Sequence, residues 1–249
     1  MDGDWHLLDP KAPAPGSENM RLDWELLQQA ESSDRAGSWV RFYRWDIPTV
    51  SLGKHQNATT AVCLESCRNL GIPIVHRPTG GRAVFHDDEI TYAIASNSPE
   101  LFLSRGVSAT YQLIAEALAG GLRKLGLETD LASGRAGRQL TPGIVPPCFV
   151  THSRFELTWK ERKIVGSAQR RLRKSFLQHG SLPLTINYPR MAMIFKTSPD
   201  VLRSAFCSLH EALGRRPSLG QTRRALEEGF REMFMRDRMQ PNRTWGSKP

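Results

Sequence analysis

No apolar run in this chain of 249 residues approaches the roughly 18 residues that a membrane-spanning helix needs, so no membrane partner is expected. The opening stretch Met1-Asp2-Gly3-Asp4-Trp5-His6 is acidic and has no apolar signal core, and the expected location is cytoplasmic. Cysteine is scarce. The four residues Cys63, Cys67, Cys148 and Cys207 make no disulfide framework at this size, and reduced thiols are the default. Cys63 and Cys67 lie one helical turn apart without a second ligand pair at zinc spacing, so no metal is expected and both read as core packing. No nucleic-acid-binding motif, no internal repeat and no acidic excess is present.

Basic charge is what the chain has. Its formal charge is +9 and its pI about 9.8. Six of the cations, Arg162, Lys163, Arg170, Arg171, Arg173 and Lys174, fall within thirteen residues. Such a stripe can meet nucleic acid, a membrane surface or an acidic protein, or is an ordinary solvated face. Hydrophobic residues make up 39%, low for a compact protein but sufficient for a core at this length. The expected organisation is a flexible segment over 1–17, one domain over 18–237 and a frayed tail over 238–249.

The most informative stretch is His76-Arg77-Pro78-Thr79-Gly80-Gly81-Arg82-Ala83-Val84-Phe85-His86-Asp87-Asp88. Apolar runs at 72–75 and 90–95 flank it. In the second, Ile90, Tyr92 and Ile94 alternate with Thr91, Ala93 and Ala95, which predicts a strand. A Gly-Gly pair lets backbone approach a ligand and bares its N–H donors. With Arg77, Arg82 and His86 beside it, the loop suits the grip of a polar or phosphorylated group. The plain alternative is a hairpin with a solvated polar tip.

Elsewhere the pattern predicts a helix over 20–30 capped by Ser17 or Asn19, strands over 40–45 and 49–53, and a short helix over 60–69 ended by Gly71. Further on it predicts a long helix over 107–125, a strand over 128–132, a hairpin formed by 155–159 and 163–169, a strand over 176–182, and closing helices over 199–213 and 218–235. The order indicates an α+β domain, with helices packed on a mixed, largely antiparallel sheet. The stretch 133–147, rich in Gly, Arg and Pro, is a long aperiodic loop, either disordered or a lid. It leads to Cys148. Lys163 begins a strand fifteen residues later, and a hairpin that returned it to the thiol would make an ion pair able to attack a thioester and hold an acyl group. Equally, a cysteine after Pro-Pro reads as a small buried hydrophobe.

Several stretches occur together in the order of one family: Met20-Arg21-Leu22-Asp23, Ser51-Leu52-Gly53 with Gln56, Arg77 to Val84, Cys148-Phe149, Lys163 with Gly166-Ser167-Ala168-Gln169, and Leu177-Gln178-His179-Gly180-Ser181. From about residue 18 to 235 the chain resembles the lipoate-assembly octanoyltransferases of the biotin/lipoate protein ligase superfamily. His76 departs from the pattern, which often has a second arginine there. The resemblance implies the ligase-like fold and a ping-pong reaction with no cofactor. Cys148 would take octanoyl from octanoyl-acyl carrier protein and pass it to one lysine of a lipoyl domain, such as the glycine-cleavage H protein, while Lys163 stabilises the thiolate and the tetrahedral intermediate. Arg77, Thr79, Gly80, Gly81, Arg82, His86, Gly166, Ser167 and Ala168 would bind substrate, and the strand at 90–95 would wall an acyl tunnel. Arg82 stands where ATP-using ligases of the superfamily tend to have glycine. An amidotransferase between lipoyl domains, an ATP-dependent lipoate ligase and a non-catalytic binder of carrier protein are the other readings. At least two of Arg170, Arg171, Arg173 and Lys174 are expected to face solvent at the tunnel mouth and meet the acidic carrier.

Overall fold

The computed structural model describes residues 4–9, 12–99, 106–132 and 155–239. Its largest element is a five-stranded sheet in the order β1-β2-β6-β11-β10, formed by Asp4–Leu8, Gly37–Tyr43, Glu89–Ser96, Phe176–Pro183 and Gly166–Arg171 respectively. β1 joins β2 in parallel, and every other pair is antiparallel. A small sheet, β4-β3-β5, consists of Ile74–His76, Thr49–Leu52 and Val84–His86. A third, β7-β8-β9, consists of Asp130–Leu131, Leu157–Trp159 and Arg162–Lys163.

Helices cover both faces of the large sheet. The long helices α4 (Gly106–Lys124) and α8 (Leu219–Met239) pack with Ile90, Tyr92 and Ile94 through Leu118, Leu122, Leu226 and Phe230. These two helices cross closely, because a Cβ on Gly229 would lie 2.2 Å from the Ala117 carbonyl oxygen. On the opposite face, α1 (Gly16–Ser32) sets Met20, Leu27 and Ala30 against Ala93 and Ala95. The predicted alternation of β6 is therefore present, but all eight residues are buried, since neither face meets water. Among the described residues no helix is long and apolar enough to cross a membrane.

Several local expectations change. Asp4–Leu8 is an ordered edge strand within the stretch read as flexible. Neither Ser17 nor Asn19 caps α1. Pro15 precedes its first turn, while buried Asn19 donates to the Ala14 and Arg44 carbonyls and joins α1 to the sheet. The helix expected over 60–69 is two, α2 (Ala58–Ala61) and α3 (Leu64–Asn69). β5 and the helix α5 (Tyr188–Phe195) lie in stretches read without an element. The Asn187 cap of α5, followed by a proline in its first turn, was the available signal. The helix expected over 199–213 breaks into α6 (Pro199–Ala205) and α7 (Leu209–Leu213). Between them the chain extends at Phe206 to bridge Lys163, and a Ser208–Glu211 capping box starts the second.

The expected 155–169 hairpin also splits. Lys160 and Glu161 both take positive φ, 48° and 62°, as a tight two-residue turn requires. After Lys163 the chain leaves the small hairpin, passes through buried Ile164 and Val165, and enters the large sheet as β10. Lys163 and Gly166 consequently sit in different sheets only three residues apart.

Candidate active site

Both sheets contribute to a narrow cavity with about 370 Å³ of empty volume, its opening included. Across the large sheet, register places Tyr43, Thr91, Ser181 and Gly166 in one row. His179 and Ala168 belong to the next row. These six residues line the cavity together with Met20, Trp45, Ser167 and Gly180, and the small-sheet side adds Ser51, Arg77, Val84 and His86. Gly180 is required at its position, because a Cβ there would stand 2.5 Å from the Tyr92 ring.

Two buried hydrogen-bond chains fix this wall. In the first, Arg77 donates to Ser51 Oγ at 3.3 Å, and Ser51 Oγ lies 2.8 Å from His86 Nε2. His86 Nδ1 faces the Glu89 carboxylate at 2.9 Å, which also accepts from Ser181 and Thr91. The carboxylate partner places a ring proton on Nδ1. Burial alone would raise the Glu89 pKa, but the His86 charge and these donors outweigh it and hold the carboxyl below its ordinary value. Trp45 stacks on His86 with ring centroids 3.9 Å apart and donates its indole N–H to Thr91 at 2.8 Å.

In the second chain, Thr79 Oγ1 is 2.6 Å from His179 Nε2, and His179 Nδ1 is 2.7 Å from Asp23 Oδ2. Asp23 accepts from Arg41 at 3.0 Å and Tyr43 at 2.8 Å. Burial lowers the His179 pKa against the pull of Asp23 and, with the Asp23 charge, raises that of Tyr43. Both rings therefore stay neutral near pH 7.

Arg77 shapes the signature loop. It donates to the Gly80 carbonyl at 2.7 Å, the Arg82 carbonyl at 2.7 Å and the Ser51 carbonyl at 3.1 Å. Gly81, at φ +90°, makes the turn so closely that a Cβ on Gly53 would lie 2.0 Å from its carbonyl oxygen. Of the sequence candidates, Arg77, His86, Gly166, Ser167 and Ala168 line the cavity. Thr79 is fully buried behind His179. Gly80 and Gly81 are exposed, and Arg82 is half-buried. From the strand over 90–95 only Thr91 reaches the cavity, while Ile90, Tyr92 and Ile94 enter the opposite core.

Lys163 is fully buried, with Nζ 2.6 Å from Glu156 Oε1. The pair follows from register. Thr158 stands opposite Lys163, so Glu156 is diagonal to it on the same face. Two buried charges this close supply a fixed, oriented ammonium. Cys148 and the loop at 133–147 lie outside the described residues. Among the described residues, no group of three or more His, Cys, Asp or Glu side chains is placed to hold a metal ion.

The basic stripe meets the expectation in number, with two of the four facing solvent, but not in place, since that exposed pair does not line the cavity. Arg171 donates to the Gly106 carbonyl at 2.8 Å and Thr110 Oγ1 at 2.6 Å, tying β10 to α4. Arg170 stacks on Trp24 at 4.7 Å and donates to the Pro78 carbonyl at 3.0 Å. Only Arg173 and Lys174 are exposed, at the turn before β11.

The lipoyl protein ligase A/B catalytic domain matches residues 15–231. The octanoyltransferase LipM of Moorella thermoacetica is 35% identical over 238 residues, covering 92% of this chain and 86% of that protein. The protein of the same name from Symbiobacterium thermophilum is 37% identical over 240 residues, with the same coverage of 92% and 86%. Among solved structures, lipoate-protein ligase A bound with ATP has a TM-score of 0.71 at 24% identity, covering 94% of this chain and 86% of that chain. A putative lipoate protein ligase from T. acidophilum with bound lipoic acid has a TM-score of 0.68 at 23%, covering 94% and 87%. These two likenesses are of fold.

Proposed function

The chain belongs to the lipoyl protein ligase A/B catalytic-domain family, and we propose that it is an octanoyltransferase of lipoate biosynthesis. One observation carries this reading: proteins named octanoyltransferase match 92% of the chain at 35% identity. The cavity lining agrees with it, since an unbranched acyl chain needs apolar wall such as Met20, Trp45 and Val84 supply.

In this reading the Cys148 thiolate attacks the thioester carbonyl of octanoyl-acyl carrier protein. A new thioester forms on Cys148, the old C–S bond breaks, and the carrier thiol leaves. The ε-amine of a lysine on a lipoyl domain, such as that of the glycine-cleavage H protein, then attacks the acyl-enzyme. An amide forms and the Cys148 thiolate departs. Lys163, oriented by Glu156, stabilises the negative charge that develops in each step. Gly166, Ser167 and Ala168 hold one side of the acyl chain, and Arg77 and His86 the other. Thr79, Gly80, Gly81 and Arg82 set the loop above it.

No ATP takes part in this scheme. Transfer to a lipoyl domain is therefore expected from octanoyl carrier protein without ATP and Mg²⁺, and not from free octanoate. Activity that required ATP and the free acid would replace the reading with a ligase. Turnover only from an octanoylated lipoyl domain would make the protein an amidotransferase.

A further inference from the structure

Resting on the transferase reading, we propose that the acyl donor docks on the signature-loop rim formed by residues 53–57 and 76–82, and that its thioester arm lies in the groove beside that rim. The donor is an acidic protein bearing its acyl group on a long polar arm. The two segments form one surface. The Lys54 amide donates to the Thr79 carbonyl at 2.8 Å, and His76 Nε2 lies 3.1 Å from the Gln56 carbonyl. Together they hold Lys54, His55, His76, Arg77 and Arg82 and no carboxylate. Lys54, His55 and His76 are exposed, and none of them forms a salt bridge among the described residues. Arg21 faces Glu18 and Glu25, Lys124 faces Glu232, and Arg216 faces Asp88. At the rim Lys54 carries its charge with no carboxylate facing it among the described residues, and the two histidines beside it add polar contacts for an acidic partner.

The rim is also close to the chemistry. Lys54 follows the cavity residue Ser51 by three positions, about 10 Å along an extended chain. Beside it runs an open groove with about 850 Å³ of empty volume, lined by Trp24, Val75, His76, Pro78 and Arg170. Met20 and Arg77 belong to both groove and cavity. A polar arm in the groove would deliver its acyl end past these two residues into the cavity. The exposed pair Arg173 and Lys174 lines neither. Beside that pair, Glu31 accepts from the Lys174 amide at 3.0 Å.

The test is a double charge reversal, Lys54→Glu with His55→Glu, assayed with octanoyl carrier protein and with octanoyl-pantetheine, which has the arm but no protein and no phosphate. We expect kcat/KM for the protein-borne donor to fall by about tenfold or more and its salt dependence to flatten, with octanoyl-pantetheine changed by less than about twofold. Arg173→Glu with Lys174→Glu should alter neither donor by more than about twofold. Equal loss with both donors, no loss with either, or a defect confined to the lipoyl-domain acceptor would overturn the docking assignment. Wild-type protein inert with both donors would overturn the transferase reading itself, and the docking assignment with it.

Discussion

The two faces of β6 are equally buried and chemically opposite. On one, Ile90, Tyr92 and Ile94 meet Leu118, Leu122 and Phe230 in a close-packed apolar layer. Even the Tyr92 hydroxyl is directed to Gln178 and Ser167, and burial pushes its pKa up to about 12. On the other, Glu89 and Thr91 join networks that end on His86, Trp45 and Ser181. Apolar burial of the first kind holds the fold at about 25 cal/mol per Å². Polar burial of the second kind adds little net stability, because each desolvated group must recover its hydrogen bonds. What it secures is geometry: the side chains of Ser51, His86 and His179 in the cavity wall are held by buried partners. Stability and function are thus divided between two sides of one strand, and variants on each side should separate them.

The largest effect is expected beyond the polar face, at the buried ion pair. Lys163→Met should lower single-turnover acyl transfer by about 10²–10³, and should destabilise the fold by about 3–5 kcal/mol by stranding Glu156. Adding Glu156→Leu should restore the melting temperature without the rate. Recovery of both would show that the pair serves only the fold. Phe230→Ala, on the apolar face, should cost about 3–5 kcal/mol in denaturant unfolding and leave kcat per folded molecule unchanged. A selective loss of activity there would erase the distinction between the faces.

A smaller, pH-dependent effect is expected at Glu89. Its folded pKa lies below the ordinary value of 4.5, so the stability it contributes is present above that value and is lost as pH falls through the folded pKa. Thermal melts of Glu89→Gln should therefore be flatter than wild type across the acid range, and parallel curves would remove Glu89 from the acid transition. The smallest effect should come from Arg123→Ala. It breaks an exposed pair with Glu128 and should change stability by no more than about 0.5 kcal/mol.

The helices and strands with long regular patterns were legible in the sequence. α4, α8, β6 and β11 fall where periodicity places them, with Phe230 and Leu226 inward. Short elements at tertiary junctions were not. The 199–213 helix breaks where Phe206 bridges Lys163, a long-range contact, although the Ser208–Glu211 capping box that restarts it was a local signal that was missed. Within the site, the Gly-Gly loop and the Gly166–Ala168 strand were recognisable, but the residues that orient them were not. Asp23 and His179 stand in the stretches that carry the family resemblance, yet only the fold shows that they bond to each other. Glu156 was hidden by its turn. Lys160 and Glu161 carry positive φ without glycine or asparagine, so the register that faces Glu156 to Lys163 had no turn signature. Arg77, read as part of a ligand grip, lines the cavity and also holds the loop's own carbonyls, a role the sequence did not show. Arg171, one of the four candidates for the solvent-facing pair, clamps α4.

The account depends most on Cys148 as the acyl carrier within the protein. Intact-mass measurement after mixing the full chain with octanoyl carrier protein, without ATP and without acceptor, tests it directly. The wild type should gain one octanoyl group, mapped to Cys148 and discharged when a lipoyl domain is added, and Cys148→Ala should gain none. An octanoyl group that forms on Cys148→Ala, or transfer by that variant at the wild-type rate, would contradict it.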